Sequence, residues 1–415
     1  MIRSTKHSLK YLNSDKRKSY DSFLSEYRSV ASIIGDNIWN NGYKEFNPIT
    51  DNLDLPKYLD YNDFILDTWL SARTLSSIVT QISGMLRGAV EQRKKLLYVL
   101  NKLKEENEPY KHILKKLKEV ILVKPEFSRI NPELSSKNID FQNGNFFDMF
   151  VALKSIGIDK IPIPVKKQRL DIKWLKKGRL LGGISLSDKN ITFRYDVEGE
   201  ENTGTEVVGA DQGRLDVLNL SDGQVTKKVD IHNHSLESIL DTLSRRKKGS
   251  KGFNRTVRQR RNFIGWTINQ LNFNNIKELK LEEIVNIGYK KHVSRKMSHW
   301  TNTIIRDKVK RKCEEIKVLF SLVDSTYNSQ QCPKCYLVRK TNRKGKIFKC
   351  KNCGYTTDAD QNGAYNVLHR SKFPDLGVEF RSRRLNLKKG FFWKPNGVFT
   401  FEGEELKVPH SIQKG

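Results

Sequence analysis

Four of the five cysteines lie close together, at Cys332, Cys335, Cys350 and Cys353, in the spacing C-x2-C-x14-C-x2-C. Each pair sits on a tight turn that can present two thiolates to one ion, and tetrahedral Zn²⁺ takes four such ligands at about 2.3 Å. The interval suits a short β-hairpin whose turn is expected at Thr341–Gly345. Gly354 follows the second pair, as a sharp knuckle requires, whereas Tyr336 follows the first, where glycine is usual. A disulfide framework is not expected. Only Cys313 is left over, and the basic start Met1–Lys18 lacks the apolar core of a secretion signal. Cys313 falls in a helical pattern around Arg306–Lys317 and reads as a packed residue.

Three carboxylates form a second set. Asp211 follows the apolar run Val207–Ala210, Glu282 follows Ile276–Leu281, and Asp360 stands where Asp358–Val367 would open a helix. Acids from two strands and a helix start can converge at one sheet edge and hold two Mg²⁺ about 3.5–4 Å apart. One ion would activate water and the other would stabilise the leaving oxygen of a phosphodiester. Singly, each acid also reads as a turn residue, a solvated strand end or a helix cap. Their order beside a cysteine ribbon is what points to a nuclease.

The third set is cationic: Arg245, Arg246, Lys247, Lys248, Ser250, Lys251, Arg255, Arg258, Arg260 and Arg261, with no acid between Thr242 and Lys277. Like charges at this density repel unless a polyanion neutralises them, which a phosphate backbone does with release of counterions. The glycines and serines here would let backbone N–H groups approach phosphates. His232-Asn233-His234 spells HNH by chance, because that nuclease class spreads its residues over a ββα-metal motif.

These sets need elements to position them. Residues 1–12 read as a strand. Apolar residues recur at helical spacing from Tyr20 to Trp39, and from about Asn62 to Lys104 with a kink expected near Gly84 or Gly88. Between them runs a polar, Pro-bearing loop through Pro56, and Tyr110–Val120 reads as a further short helix. Short, partly alternating runs follow at Phe146–Leu153, Ile161–Val165, Leu180–Leu186 and Ile191–Val197. Glu198–Thr205 reads as a linker. Beyond it, Val207–Gly213, Leu215–Leu220 and Gln224–Ile231 are expected as three consecutive antiparallel strands, the way an RNase H-like domain begins. A basic helical stretch, the strand ending at Glu282, a long helix, the cysteine segment and the Asp358 helix complete it.

The chain of 415 residues carries 76 Lys and Arg against 47 Asp and Glu, a formal net charge of +29. The length suits two or three domains with real cores. No apolar run reaches 18 residues, which excludes a transmembrane helix. So positive a balance favours a polyanion partner, most simply nucleic acid. A cytoplasmic protein is expected, with no membrane partner.

With these motifs the sequence resembles the TnpB-like RNA-guided nucleases, RuvC nucleases with a C-terminal zinc ribbon whose relatives include miniature type V CRISPR effectors. Val208-Gly209-Ala210-Asp211-Gln212-Gly213 is similar to their first RuvC motif. Leu243–Lys251 with Arg255 is similar to their basic S-R-K-K-x-G-S region, and Leu281-Glu282-Glu283-Ile284 to L-E-D-L, with Glu282 the catalytic match. Trp300 and the helix after it resemble the segment leading to Ser329-Gln330-Gln331-Cys332-Pro333-Lys334-Cys335, itself similar to T-S-Q-x-C-x-x-C-G. Asp358-Ala359-Asp360-Gln361-Asn362-Gly363-Ala364 is similar to D-x-D-x-N-A-A. Ala210 and Gly363 depart mildly from the pattern. The resemblance is good over residues 160–370, holds only in kind over 1–150, and is poor over the basic, aromatic tail 371–415 with Phe391, Phe392 and Trp393.

The resemblance implies a multidomain α+β protein. An N-terminal helical recognition lobe (13–122) joins a small β-barrel wedge domain (1–12 as its first strand, then 123–205). An RNase H-like (RuvC) α/β domain (206–325, closing at 358–370) follows, with an inserted zinc ribbon (326–357) and the tail (371–415). It implies Asp211, Glu282 and Asp360 as catalytic residues holding two Mg²⁺, and a structural Zn²⁺ on the four cysteines. It also implies a guide RNA as cofactor and double-stranded target DNA as partner; TnpB-like proteins act as monomers and some miniature effectors as dimers, which favours a monomer and leaves a dimer open. The activity implied is RNA-guided DNA cleavage. A nuclease-silent RNA-guided repressor and a guide-free transposase or resolvase stay open as alternatives.

Overall fold

The computed structural model describes residues 1–42, 60–105, 114, 117, 124–213, 215–284, 295–299, 302–376, 381 and 384–408. The chain divides into two units, Met1–Glu198 and Gly199–Gly415. No helix among the described residues is long and apolar enough to cross a membrane.

In the first unit, two long helices bury apolar stripes at helical spacing. Helix α1 (Ser14–Gly42) buries Tyr20, Phe23, Tyr27, Val30 and Ile34, and α2 (Ala72–Glu105) buries Leu75, Ile78, Val79, Ile82 and Leu86. Helix α2 runs unbroken through Gly84 and Gly88, where an added Cβ would meet nothing within 4 Å. Both glycines face solvent, so neither gives the chain a reason to kink. The helix begins later than expected, because Tyr61–Asp63 instead forms a 3₁₀ turn capped by Asp60. The loop at Pro56 and most of Tyr110–Val120 fall outside the described residues, as does Trp300.

Two antiparallel sheets complete this unit. Strands β1 (Ile2–Ser8), β2 (Glu133–Leu134), β6 (Gly178–Leu186) and β7 (Asn190–Val197) lie in the order β1-β7-β6-β2, and β3 (Ile139–Asn143), β4 (Met149–Leu153) and β5 (Ile161–Val165) form the second sheet. Alternate residues of β7 (Ile191, Phe193, Tyr195, Val197) point into one core. A short helix, α3 (Arg169–Leu175), supplies buried Asp171, which accepts from Thr5 Oγ1 at 2.6 Å and Tyr195 Oη at 2.7 Å.

The second unit is built on a mixed sheet of β8 (Glu206–Gln212), β9 (Leu218–Leu220), β10 (Ile276–Glu283) and β11 (Leu319–Asp324), in the order β11-β10-β8-β9. Strand β10 is parallel to both β8 and β11, while β9 is antiparallel to β8. Parallel neighbours require crossovers. The first carries α4 (Leu236–Arg245) and α5 (Lys251–Ile268), and the second carries α6 (Arg295–Ser298) and α7 (Asn302–Glu315). Ser235 and Ser250 start α4 and α5, accepting from the N–H groups of Ser238 (3.0 Å) and Phe253 (3.1 Å). Cys313 is fully buried in the core beneath this sheet.

The expected third antiparallel strand, Gln224–Ile231, does not form. Only isolated bridges occur there, Asn219 to Val225 and Val229 to Ser235. The Thr226 hydroxyl accepts from the Leu218 N–H at 3.0 Å, taking the donor that a continuing ladder would need.

The cysteine segment contributes β12 (Leu337–Val338) and a small sheet of β13 (Arg343–Lys344), β14 (Ile347–Lys349) and β15 (Thr356–Asp358), which runs into α8 (Ala359–His369). The hairpin turn is Gly345-Lys346, since Lys344 pairs with Ile347. The expected turn at Thr341 is instead a 3₁₀ turn at Lys340–Asn342. The tail is ordered: β16 (Phe391–Lys394), β17 (Gly397–Thr400) and β18 (Glu405–Leu406) extend β12 into a four-stranded sheet. Trp393 and Phe391 are buried under it.

Candidate active site and metal centre

The register of the parallel pair brings two of the acids together. Ala210 lies beside Leu281, so Asp211 and Glu282 meet at the carboxyl ends of β8 and β10. Gln212 fixes Glu282, donating its backbone N–H to Oε1 at 2.8 Å and its side-chain amide to the Glu282 carbonyl at 3.0 Å. Asp360 arrives from the first turn of α8. The capping there is done by Asp358, whose Oδ1 accepts from the N–H of Asp360 (2.9 Å) and of Gln361 (3.1 Å). That leaves the Asp360 carboxylate for the site. Two glycines let α8 approach β8. A Cβ on Gly209 would come within 2.3 Å of the Ala364 carbonyl oxygen, and one on Gly363 within 2.8 Å of Asp211 Oδ1.

All three acids are buried. Desolvation pushes the Asp211 carboxyl well above the usual carboxylate range; the charges of Glu282 and Asp360 push it further, and Arg343 opposes. Desolvation likewise raises Glu282 to about 7, against hydrogen bonds from Gln212, Asp211 and Asn328 and with the charge of Asp360 adding. Hard oxygen donors that resist ionisation for want of a cation suit a divalent ion such as Mg²⁺.

Asp360 differs, because its cations come from the ribbon hairpin. Arg343 Nη2 lies 3.1 Å from Oδ1, and Lys346 Nζ bonds Oδ2. Lys346 also reaches Oδ2 of Asp216 at 2.8 Å. Asp216, in the β8–β9 turn, is a fourth buried acid. Among the described residues, only the four cysteines bring three or more ligand atoms within 4.8 Å of one another. Arg343, Lys346 and Asp216 escaped the sequence reading, since basic residues around a glycine turn look like a solvated loop. Asn328 also escaped it. Arg370 holds its side chain (Nε to Oδ1, 3.0 Å), and the Asn366 side chain donates to its carbonyl at 2.8 Å.

The cysteines form a second centre. Sγ of Cys332 lies 3.5 Å from that of Cys353, and Sγ of Cys335 lies 3.5 Å from that of Cys350. A tetrahedron with bonds of about 2.3 Å has edges of about 3.8 Å, whereas a disulfide needs about 2.05 Å, so the arrangement fits zinc. Two matching knuckles build it. Tyr336 N–H donates to the Cys332 carbonyl (2.9 Å) and Gly354 N–H to the Cys350 carbonyl (3.2 Å). Both turns need the left-handed region, which Tyr336 adopts at φ 64° and Gly354 at φ 72°. The tyrosine therefore occupies the conformation that favours glycine.

The cationic set divides. Arg245, Lys247, Lys248, Lys251, Arg255, Arg258 and Arg261 are exposed, with Lys251, Arg255 and Arg258 in one stripe of α5. Arg246 is half-buried. Two members depart from the expectation of phosphate contact. The Ser250 hydroxyl caps α5, and Arg260 is buried with its guanidinium donating to the His299 carbonyl. Arg260 shares a face with buried Thr256, Phe263, Ile264 and Thr267, a helical period that was readable in the sequence.

Comparison with known proteins bears on this arrangement. Residues 303–367 match the family model described as Cas12f1-like, TNB domain, a span from α7 through the ribbon to Asp360 and beyond. The CRISPR-associated endodeoxyribonuclease Cas12f1 of Sulfoacidibacillus thermotolerans is 36% identical over 90 residues, 21% of this chain and 21% of that one. A TnpB-like protein of Aquifex aeolicus is 33% identical over 82 residues, 19% of this chain and 27% of that one. Over the segment that carries the ribbon, the chain is similar to Cas12f1 and TnpB-like proteins. The matched segments span only 13–27% of the curated relatives' own length. A cryo-EM structure of a Cas12f1–sgRNA–target DNA complex aligns with 89% of this chain and 98% of that one, at 13% identity and a TM-score of 0.45. The family model ends at Val367, so the tail sheet lies outside what it describes.

Proposed function

We propose that this chain is an RNA-guided DNA endonuclease with one RuvC-like site made of Asp211, Glu282 and Asp360. The observation that carries the reading is the convergence of these buried acids at the carboxyl ends of parallel strands and the start of α8, beside a zinc-type ribbon. Residues 206–325 and 358–370 form the RuvC-like domain, with the ribbon at 326–357. Residues 1–12 and 123–205 act as the wedge and 13–122 as the recognition lobe. A guide RNA pairs with the target strand, and the exposed cations of α5 and its approach hold phosphate rather than sequence. The protein acts as a monomer in a prokaryotic cytoplasm.

Asp211, Glu282 and Asp360 would hold two Mg²⁺, which supply an activated water and a stabilised leaving oxygen when bound. Gln212 keeps Glu282 oriented through its backbone N–H, and burial keeps bulk water from competing for the acids. The four cysteines would hold Zn²⁺ and so fix the ribbon from which α8 starts. The test is cleavage of a matched duplex by protein carrying its co-purified RNA. Asp211→Ala should abolish cutting and leave RNA and target binding intact. Full cutting by that variant would refute the site.

A further inference from the structure

We propose that Lys346 is an internal cation that holds Asp360 away from the metal site until a divalent ion arrives, and that Asp216 is the positioning residue that takes Lys346 over. The inference rests on the proposed metal site. It starts from a disparity within it. Among the described residues, Asp360 has a cation on each oxygen, Arg343 on Oδ1 and Lys346 on Oδ2, whereas Asp211 and Glu282 form no ion pair. The carboxylate oxygens of Asp211, Glu282 and Asp360 do not all come within 4.8 Å of one another.

Lys346 is held where it can do this. It is the second residue of the two-residue turn, with Gly345 supplying φ 62° before it. Its carbonyl accepts from the Ala359 N–H at 2.7 Å, which ties the turn to the start of α8. Its side chain bridges two acids, Asp360 Oδ2 and Asp216 Oδ2. An ion bound at Asp360 Oδ2 competes with the ammonium there, because two cations on one carboxylate oxygen repel each other in a buried site.

Asp216 is ready to receive it. Its side chain is only 5% exposed, and its second oxygen, Oδ1, has no hydrogen-bond partner. Lys228 Nζ lies 3.7 Å from Oδ1, on a side chain 70% exposed. The turn around Asp216 is closed tightly: Gly213 N–H bonds the Val217 carbonyl at 3.3 Å, and a Cβ on Gly213 would come within 2.3 Å of the Asp216 carbonyl oxygen. A fixed, buried carboxylate with an open oxygen can accept the whole ammonium when Asp360 is withdrawn. Arg343 has a second acceptor too, its Nε bonding the Gly345 carbonyl at 3.0 Å, but no second acid.

The test is Mn²⁺ binding to the zinc-loaded full chain without DNA, read by the electron paramagnetic resonance of free Mn²⁺. Two cations competing for one oxygen are negatively coupled, and such couplings commonly span 5–150-fold. Lys346→Gln should bind Mn²⁺ about tenfold tighter than wild type, and Lys346→Met should do the same, with zinc content and thermal transition confirming the fold. Asp216→Asn should bind more weakly, because Lys346 then rests on Asp360 alone. The double variant Lys346→Gln/Asp216→Asn should match Lys346→Gln, showing that Asp216 acts only through the lysine. Affinity that is unchanged or lower in folded Lys346→Gln and Lys346→Met overturns the proposal. A double variant much weaker than Lys346→Gln overturns the role given to Asp216 and makes it a metal ligand. Wild-type binding that survives both Asp211→Asn and Asp360→Asn refutes the metal site itself.

Discussion

Glu282 offers a sharp test, because its chemistry is visible in stability before any substrate is added. Burial lifts its folded-state pKa from 4.5 to about 7. The folded protein thus holds a proton that the unfolded chain releases at lower pH. The associated stability is fully present below pH 4.5 and is lost as pH rises through about 7. The interval is 7 − 4.5 = 2.5 pH units, and at 1.36 kcal/mol per unit the loss has a ceiling of about 3 kcal/mol. Asp211, raised for the same reason, adds in the same direction. Glu282→Gln removes the titration while its amide oxygen can still accept the Gln212 N–H. The experiment is calorimetry of the zinc-loaded chain in Mg²⁺-free buffer from pH 5 to pH 8.5. The wild-type transition of the second unit should fall relative to the variant as pH rises. For a unit of this size about 3 kcal/mol corresponds to roughly 6–12 °C. The two should nearly coincide at pH 5. Parallel curves across the range would refute the reasoning, for then Glu282 ionises in the fold as easily as in the unfolded chain.

The remaining expectations concern the parts around the acids. Cys350→Ser should lower bound zinc from one ion per chain towards none, read by elemental analysis, and expose the ribbon to proteolysis, since structural zinc contributes roughly 10 kcal/mol or more. Trp393→Ala should destabilise the second unit by about 3–5 kcal/mol in denaturant unfolding, because it empties a fully buried site and removes the ring under Arg370. Replacing exposed Arg245, Lys248 and Arg255 together with Ala should reduce the dependence of RNA affinity on salt by a log–log slope of roughly 2–3. Arg260→Ala should instead lower thermal stability and leave that slope unchanged, because the side chain is buried against His299.

What could be read from the sequence followed the range of the interactions involved. The cysteine spacing is local, and the two knuckles it suggests are closed by bonds four or five residues long. The strands bearing Asp211 and Glu282 announce themselves by apolar runs, and parallel pairing then places the two acids side by side. The missing third strand was lost to a side chain, since the Thr226 hydroxyl captures the Leu218 N–H, which no hydropathy pattern reports. The tail was opaque because its partner, β12, is two residues long and lies 53 positions before it. Arg260 was misplaced for the opposite reason. Its charge was weighed above a helical period that put it inside.

The ribbon and the tail sheet belong to the same mechanical unit as the acids. Trp393 is the keystone of the tail sheet, and its carbonyl accepts from Gln331 Nε2 at 2.7 Å, immediately before Cys332. Its ring lies 4.1 Å from the guanidinium of Arg370. Burial pushes Arg370 down to about 10, and it spends two N–H groups on the Asn328 side chain. The Asn328 side chain in turn favours the ionised form of Glu282, while Asn362 and Asn366 clamp its carbonyl and that of Gln331. Asp360 lies on the same helix as those two asparagines. Any force that shifts the ribbon relative to β10 therefore moves Asp360 and the partner of Glu282 together. In the proposed nuclease, this linkage couples the third acid to the ribbon. The segment inserted between its second and third acids is the one that can carry the third acid to or from the other two.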